Sequence, residues 1–172
     1  MILSIPIVLH IRVEAPEGPA DQVLEAYRGL VAQRCQDFTP AWPDVRTAIQ
    51  GNYARTFDAE GAVEAHQGWA SLSENYARWK QRHYPGQPIL SLTGALRSHL
   101  AGGFPPPDED IAAHSYTLTS ALSTPSGYDL AGLHQLGTRR MPARPPARLT
   151  SSLFEEVCTV LRRYILGGVQ GD

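Results

Sequence analysis

Apolar residues recur every three or four positions along most of the chain and every second position in two short stretches, a pattern that predicts several helices around a small sheet. The most regular stripe is Val23, Leu24, Tyr27, Leu30, Val31, Cys35 and Phe38, behind Asp21 as a cap. A second stripe, Val45, Ile49, Tyr53 and Phe57, follows Pro43 in its first turn, so two antiparallel helices joined by a short loop are expected. Periodicity lapses over 58–68. Ser71, with Glu74 three residues on, has capping-box spacing and predicts a helix from about Leu72 to just before Pro85. A short helix over 92–100 follows, capped by Ser91 or Thr93, with Leu92, Leu96 and Leu100 on its face and Gly102-Gly103 at its end.

Strict alternation marks two strands. Ile5, Ile7, Leu9, Ile11 and Val13 alternate with Pro6, Val8, His10, Arg12 and Glu14, predicting a strand over 1–14; Tyr116, Leu118, Ser120 and Leu122 alternate with Thr117, Thr119 and Ala121. The Pro-rich acidic stretch 104–114 reads as an exposed loop, and 128–137 as a short helix stopped by Gly137. Pro142, Pro145 and Pro146 exclude a regular helix from 138–149, which reads as an extended arm. A last helix over 150–166 carries Leu153, Phe154, Val157, Val160, Leu161, Tyr164 and Ile165 on one face. The expectation is an α+β fold in a single domain, 1–172: a small antiparallel sheet packed with amphipathic helices, with long exposed loops.

Composition narrows the function classes. The chain has 172 residues, 42% apolar and 19% charged, which suits one globular domain with a substantial core. A formal charge of -2 gives no global attraction to nucleic acid or anionic lipid. The apolar N-terminus lacks the basic start and cleavage site of a signal peptide, and no stretch reaches the run of about 20 apolar residues that spans a bilayer. Cys35 and Cys158 lie on apolar helix faces and imply no disulfide framework, so a reducing compartment is expected.

Catalytic chemistry is hard to assemble from this sequence. Thr93, Gly94 and Arg97 are phosphate-binding residue types, but one glycine without a following Gly-Lys-Ser/Thr is no phosphate loop. None of the six histidines has metal-ligand spacing to another ligand, and no Gly-x-Ser-x-Gly occurs. Asp108, Glu109 and Asp110 read as solvated carboxylates. No enzyme, metal or cofactor is therefore expected. The sharper feature is Arg139, Arg140, Arg144 and Arg148, four guanidinium forks within ten residues of the proline-stiffened arm, suited to carboxylates of a protein partner or to phosphates.

Taken together, "GWASLSENYARWK", "ILSLTGALRSHL", "YDLAGLHQLG" and "MPARPPARL" before a C-terminal helix resemble the virion-morphogenesis or tail-completion family of Mu-like tailed phages, over about 20–166. The matching positions are Trp69, Leu72, Ser73, Lys80, Ile89, Leu90, Thr93, Gly94, Leu96, Ser98, Tyr128, His134, Gln135, Gly137, Pro142, Ala143, Arg144 and Pro145. The chain departs from the family pattern at Leu130-Ala131 and at 146–149, which replaces a Phe-Leu step. The resemblance implies a structural subunit of a ring, commonly sixfold, in the virion neck, assembled in the host cytoplasm. Its implied partners are other copies of itself, head-closure or connector proteins and tail terminator or tube proteins, with DNA only as passing genome and no membrane. Thr93 would cap, Gly94 would allow close backbone approach, Leu96 would pack inward, and segments 58–68 and 101–114 would reach neighbouring subunits. The alternatives are a tail-tube terminator ring, a nucleic-acid-binding module using the arginines, and a hydrolase centred on His134 with a carboxylate.

Overall fold

The computed structural model describes residues 2–3 and 21–167. In chain order the elements are β1 (Ile2–Leu3), α1 (Asp21–Arg34), a 3-10 turn (Thr39–Ala41), α2 (Trp42–Asp58), α3 (Glu74–His83), α4 (Ala95–Leu100), β2 (Asp108–Ala112), β3 (Ser115–Thr119), α5 (Leu130–Leu136) and α6 (Ser151–Leu166). Apart from the two residues of β1, the strand expected over 1–14 lies outside the described residues.

The core forms where α2 meets α6. Val45, Ile49, Tyr53 and Phe57 are buried as the spacing predicts, and Trp42 and Ala48 widen the stripe. From α6, Leu153, Val157, Val160, Leu161 and Ile165 face them. Each such large apolar side chain contributes about 1.5–3 kcal/mol on burial. One polar side chain inside this layer is bonded at both ends of its amide: Asn52 donates through Nδ2 to the Arg148 carbonyl (2.7 Å) and accepts through Oδ1 from the Thr150 hydroxyl (2.7 Å). Thr150 also caps α6, accepting from the Leu153 amide at 3.2 Å.

Two stripe residues expected inside lie outside: Phe154 is 55% exposed and Leu30 43%. Phe154 directly follows the buried Leu153, and one residue turns the helix by about 100°, enough to leave the α2-facing side. Leu30 belongs to α1, which meets α6 rather than forming the expected close hairpin with α2; Arg34 Nη1 donates to the Ile165 carbonyl at 3.3 Å.

The sheet is antiparallel in the order β1-β3-β2. Its β2 strand corrects the expected loop: Asp108 to Ala112 pair with Thr119 to Ser115. Acidic residues disfavour a central strand, but β2 is an edge, where charges are tolerated and discourage further pairing. Glu109 bonds Arg46 at 3.0 Å, and the hairpin docks on α2 through Trp42, whose Nε1 donates to the Ala112 carbonyl (2.8 Å) and whose ring stacks on Tyr116.

Segment 58–68 is tied to the rest of the fold by two carboxylates, while Glu64 to Gly68 stay exposed. The Glu60 carboxylate accepts from the Ile89 amide at 2.7 Å, and the Glu64 carboxylate accepts from the Ser151 and Ser152 amides at 2.8 Å each, covering the first turn of α6. No described helix is long and apolar enough to cross a membrane.

Candidate interaction groove

The segment expected as an extended arm, 138–149, stays mostly exposed over 138–143 and is stitched into the fold from Arg144 on. Gly137 ends α5 with φ 73° and ψ -176°, a conformation reserved for glycine, and a β-carbon there would lie 2.7 Å from the Ala143 amide nitrogen. That turn folds the following residues back along α5. The Arg144 amide donates to the His134 carbonyl (2.8 Å), and the Gln135 side chain accepts from the Ala147 amide (3.3 Å) and donates to its carbonyl (3.4 Å). From the other side, buried Trp69 donates through Nε1 to the Pro145 carbonyl at 2.9 Å, with its ring edge-on to Phe57.

Arg144 is 5% exposed. Its Nε donates to the Ala70 carbonyl and its Nη2 to the Ser71 carbonyl, both at 2.7 Å. These two bonds fix the backbone just ahead of α3. They also explain why α3 starts at Glu74 rather than near Leu72, with Ser73 as a cap residue whose side chain makes no capping bond. Of the four arginines singled out, Arg144 is thus committed within the chain, and Arg148 is half-buried. Arg139 and Arg140 remain exposed and have no ion-pair partner among the described residues.

What this bracing encloses is an open groove of about 910 Å³. Its apolar floor includes Leu72, Leu90, Leu92, Leu96, Leu130 and Met141. Its basic groups are Lys80, Arg140 and Arg144, and among the described residues no carboxylate lines it. Lys80 donates to the Pro88 carbonyl; burial pushes its pKa down while Glu60 pulls it back up. Burial also lowers the Arg144 pKa, offset in part by Tyr76. His134 presents a buried Nδ1 without a hydrogen-bond partner, and burial, aided by the Arg144 charge, lowers its pKa from the ordinary histidine value, favouring the neutral ring.

Most of the motif residues fall into two groups. Leu72, Ser73, Thr93, Gly94, Leu96, His134 and Pro142 line the groove together with Arg144, while Trp69, Gln135 and Gly137 brace its wall. Residues far apart in sequence therefore build one feature. Two roles differ from expectation. Gly94 has open space where a β-carbon would sit, and its φ of +78° is what requires glycine. Thr93 does not cap a helix over 92–100; α4 begins at Ala95 with Gly94 as its cap, and the Thr93 hydroxyl only accepts a long 3.4 Å bond from the Ala95 amide.

Along α3, sequence reading missed an outward aromatic row: Tyr76 stacks on Trp79 (5.5 Å between centroids) and Trp79 on His83 (4.9 Å). The i, i+3, i+7 spacing was visible, but its exposure was not. Among the described residues no group of three His, Cys, Asp or Glu side chains is placed to hold a metal ion. Comparison with models of known families, with curated proteins and with solved structures returns no match.

Proposed function

We propose that the chain is a structural subunit of a ring in the neck of a tailed phage or prophage, completing the tail and joining it to the head-closure or connector complex. One observation carries this reading: most of the residues that carry the resemblance to tail-completion proteins, Ile89, Ser98 and Tyr128 excepted, converge on a single apolar groove and its braces. A groove with a leucine floor, an exposed arginine at its rim and, among the described residues, no lining carboxylate suits docking of a protein segment. It offers a hydrolase no acid to orient His134 as a base. In this reading the partners are further copies of the chain, head-closure and tail-tube or terminator proteins, and the genome only passes through. Inactivating the gene in its source genome tests the proposal. Electron microscopy of the resulting lysate should show full heads and tails that have not joined, with joining restored by the wild-type gene in trans. Joined, infectious particles from the inactivated genome would overturn it.

A further inference from the structure

We infer that the groove receives a second copy of this chain, through the Phe104 loop, and that this head-to-tail contact closes the ring. The inference rests on the ring reading and assigns its interface. Phe104 is 86% exposed, the most exposed large apolar side chain among the described residues. Its backbone is nonetheless anchored. The Gly103 amide donates to the Ser98 carbonyl at 2.6 Å, and buried His99 donates through Nδ1 to the Pro105 carbonyl at 2.7 Å. Pro105, Pro106 and Pro107 follow, so the knob is held out on a stiff stretch that loses little freedom on docking.

Charge and geometry match this knob to the groove. Immediately after the prolines come Asp108 and Asp110, exposed on the edge strand and without ion-pair partners among the described residues. The groove offers the complement: an apolar floor for the ring and Arg140, exposed and, among the described residues, unpaired on a rim without carboxylates. Within one chain the two features sit at opposite ends of α4. Thr93 to Leu96 line the groove at its start, whereas Ser98 and the turn after Leu100 carry the knob. Knob and groove being different surfaces, the contact is heterologous, and repeating it generates a ring when the rotation closes.

Two chains test this, both carrying Cys35→Ser and Cys158→Ser, one with Pro106→Cys, exposed beside the knob so that Phe104 itself is kept, and the other with Thr93→Cys. A short bis-maleimide, which adds one thiol at each end, should join the mixture at least tenfold more efficiently than either chain alone, and a chain carrying both new cysteines should give a ladder ending in a closed species. Sedimentation equilibrium of otherwise wild-type protein should show at least tenfold weaker self-association for Phe104→Asp and weaker association for Arg140→Glu, with melting temperatures unchanged because both positions are exposed. Equal cross-linking in the single-cysteine chains, or assembly indifferent to Phe104→Asp, overturns this contact while leaving the ring reading standing. A wild-type chain that stays monomeric at every concentration overturns the contact too, and the ring reading then stands or falls on where the chain sits in the virion.

Discussion

Replacing Arg144 by alanine should damage the fold far more than replacing Arg140, four residues away. Arg144 is buried and its two donors hold the Ala70 and Ser71 carbonyls at 2.7 Å, while its own backbone bonds His134. Hydrogen bonds to charged groups contribute about 1.5–3 kcal/mol each. Water entering through the open groove offsets part of that loss, and the guanidinium's own desolvation cost disappears with it, so the net destabilisation is about 2–4 kcal/mol. For a chain of this length that corresponds to a melting temperature lower by roughly 5–15 °C. Arg144→Lys keeps the charge but not the fork, and should recover less than half of the difference. Arg140→Ala, at the exposed rim, should stay within about 0.5 kcal/mol of wild type. Thermal melts and urea titrations of the three variants make the comparison. An Arg144→Ala protein that melts with Arg140→Ala would show that the groove wall does not depend on this side chain.

Gly137→Ala should cost more than Gly94→Ala in the same melts: both glycines have positive φ, but only at Gly137 does a β-carbon meet backbone, while at Gly94 the expected cost is about 1–2 kcal/mol. His134 is held below its ordinary pKa, so its contribution to stability is complete above pH 6.5 and is lost as the pH falls through the folded value. Melts between neutrality and pH 5 should therefore fall less steeply for His134→Gln, and an unchanged slope would refute the buried neutral ring. Glu64 is lowered from 4.5 chiefly by the Ser152 bonds, so its contribution is present above that pH and lost below it; Glu64→Gln should flatten the acid limb of the same profile, where an unaltered limb would remove the carboxylate's role at α6.

Periodicity made α2 and α6 legible because their cores are single stripes at helical spacing, and Val45 to Phe57 and Leu153 to Ile165 occupy the places that spacing assigns. Alternation located β3 for the same reason. Strand β2 was hidden, since Asp-Glu-Asp after three prolines has the composition of a loop and its pairing with β3 is set by the hairpin, not by local preference. The site was half legible. Its residues could be named from motif order, but not their division of labour, because the fate of Arg144 depends on two carbonyls more than seventy residues away. Gly94 was identified as requiring glycine for the wrong reason: close approach and positive φ leave the same letter in a sequence.

The central claim, that this chain forms a ring where head meets tail, is tested most directly by immunogold labelling of purified virions with an antibody to the chain, read by electron microscopy. The account predicts gold confined to the head–tail junction, in several copies per particle, with the same particles losing label when the gene is inactivated. Gold along the whole tail, on the capsid alone, or absent from virions while the chain remains free in the lysate would contradict it.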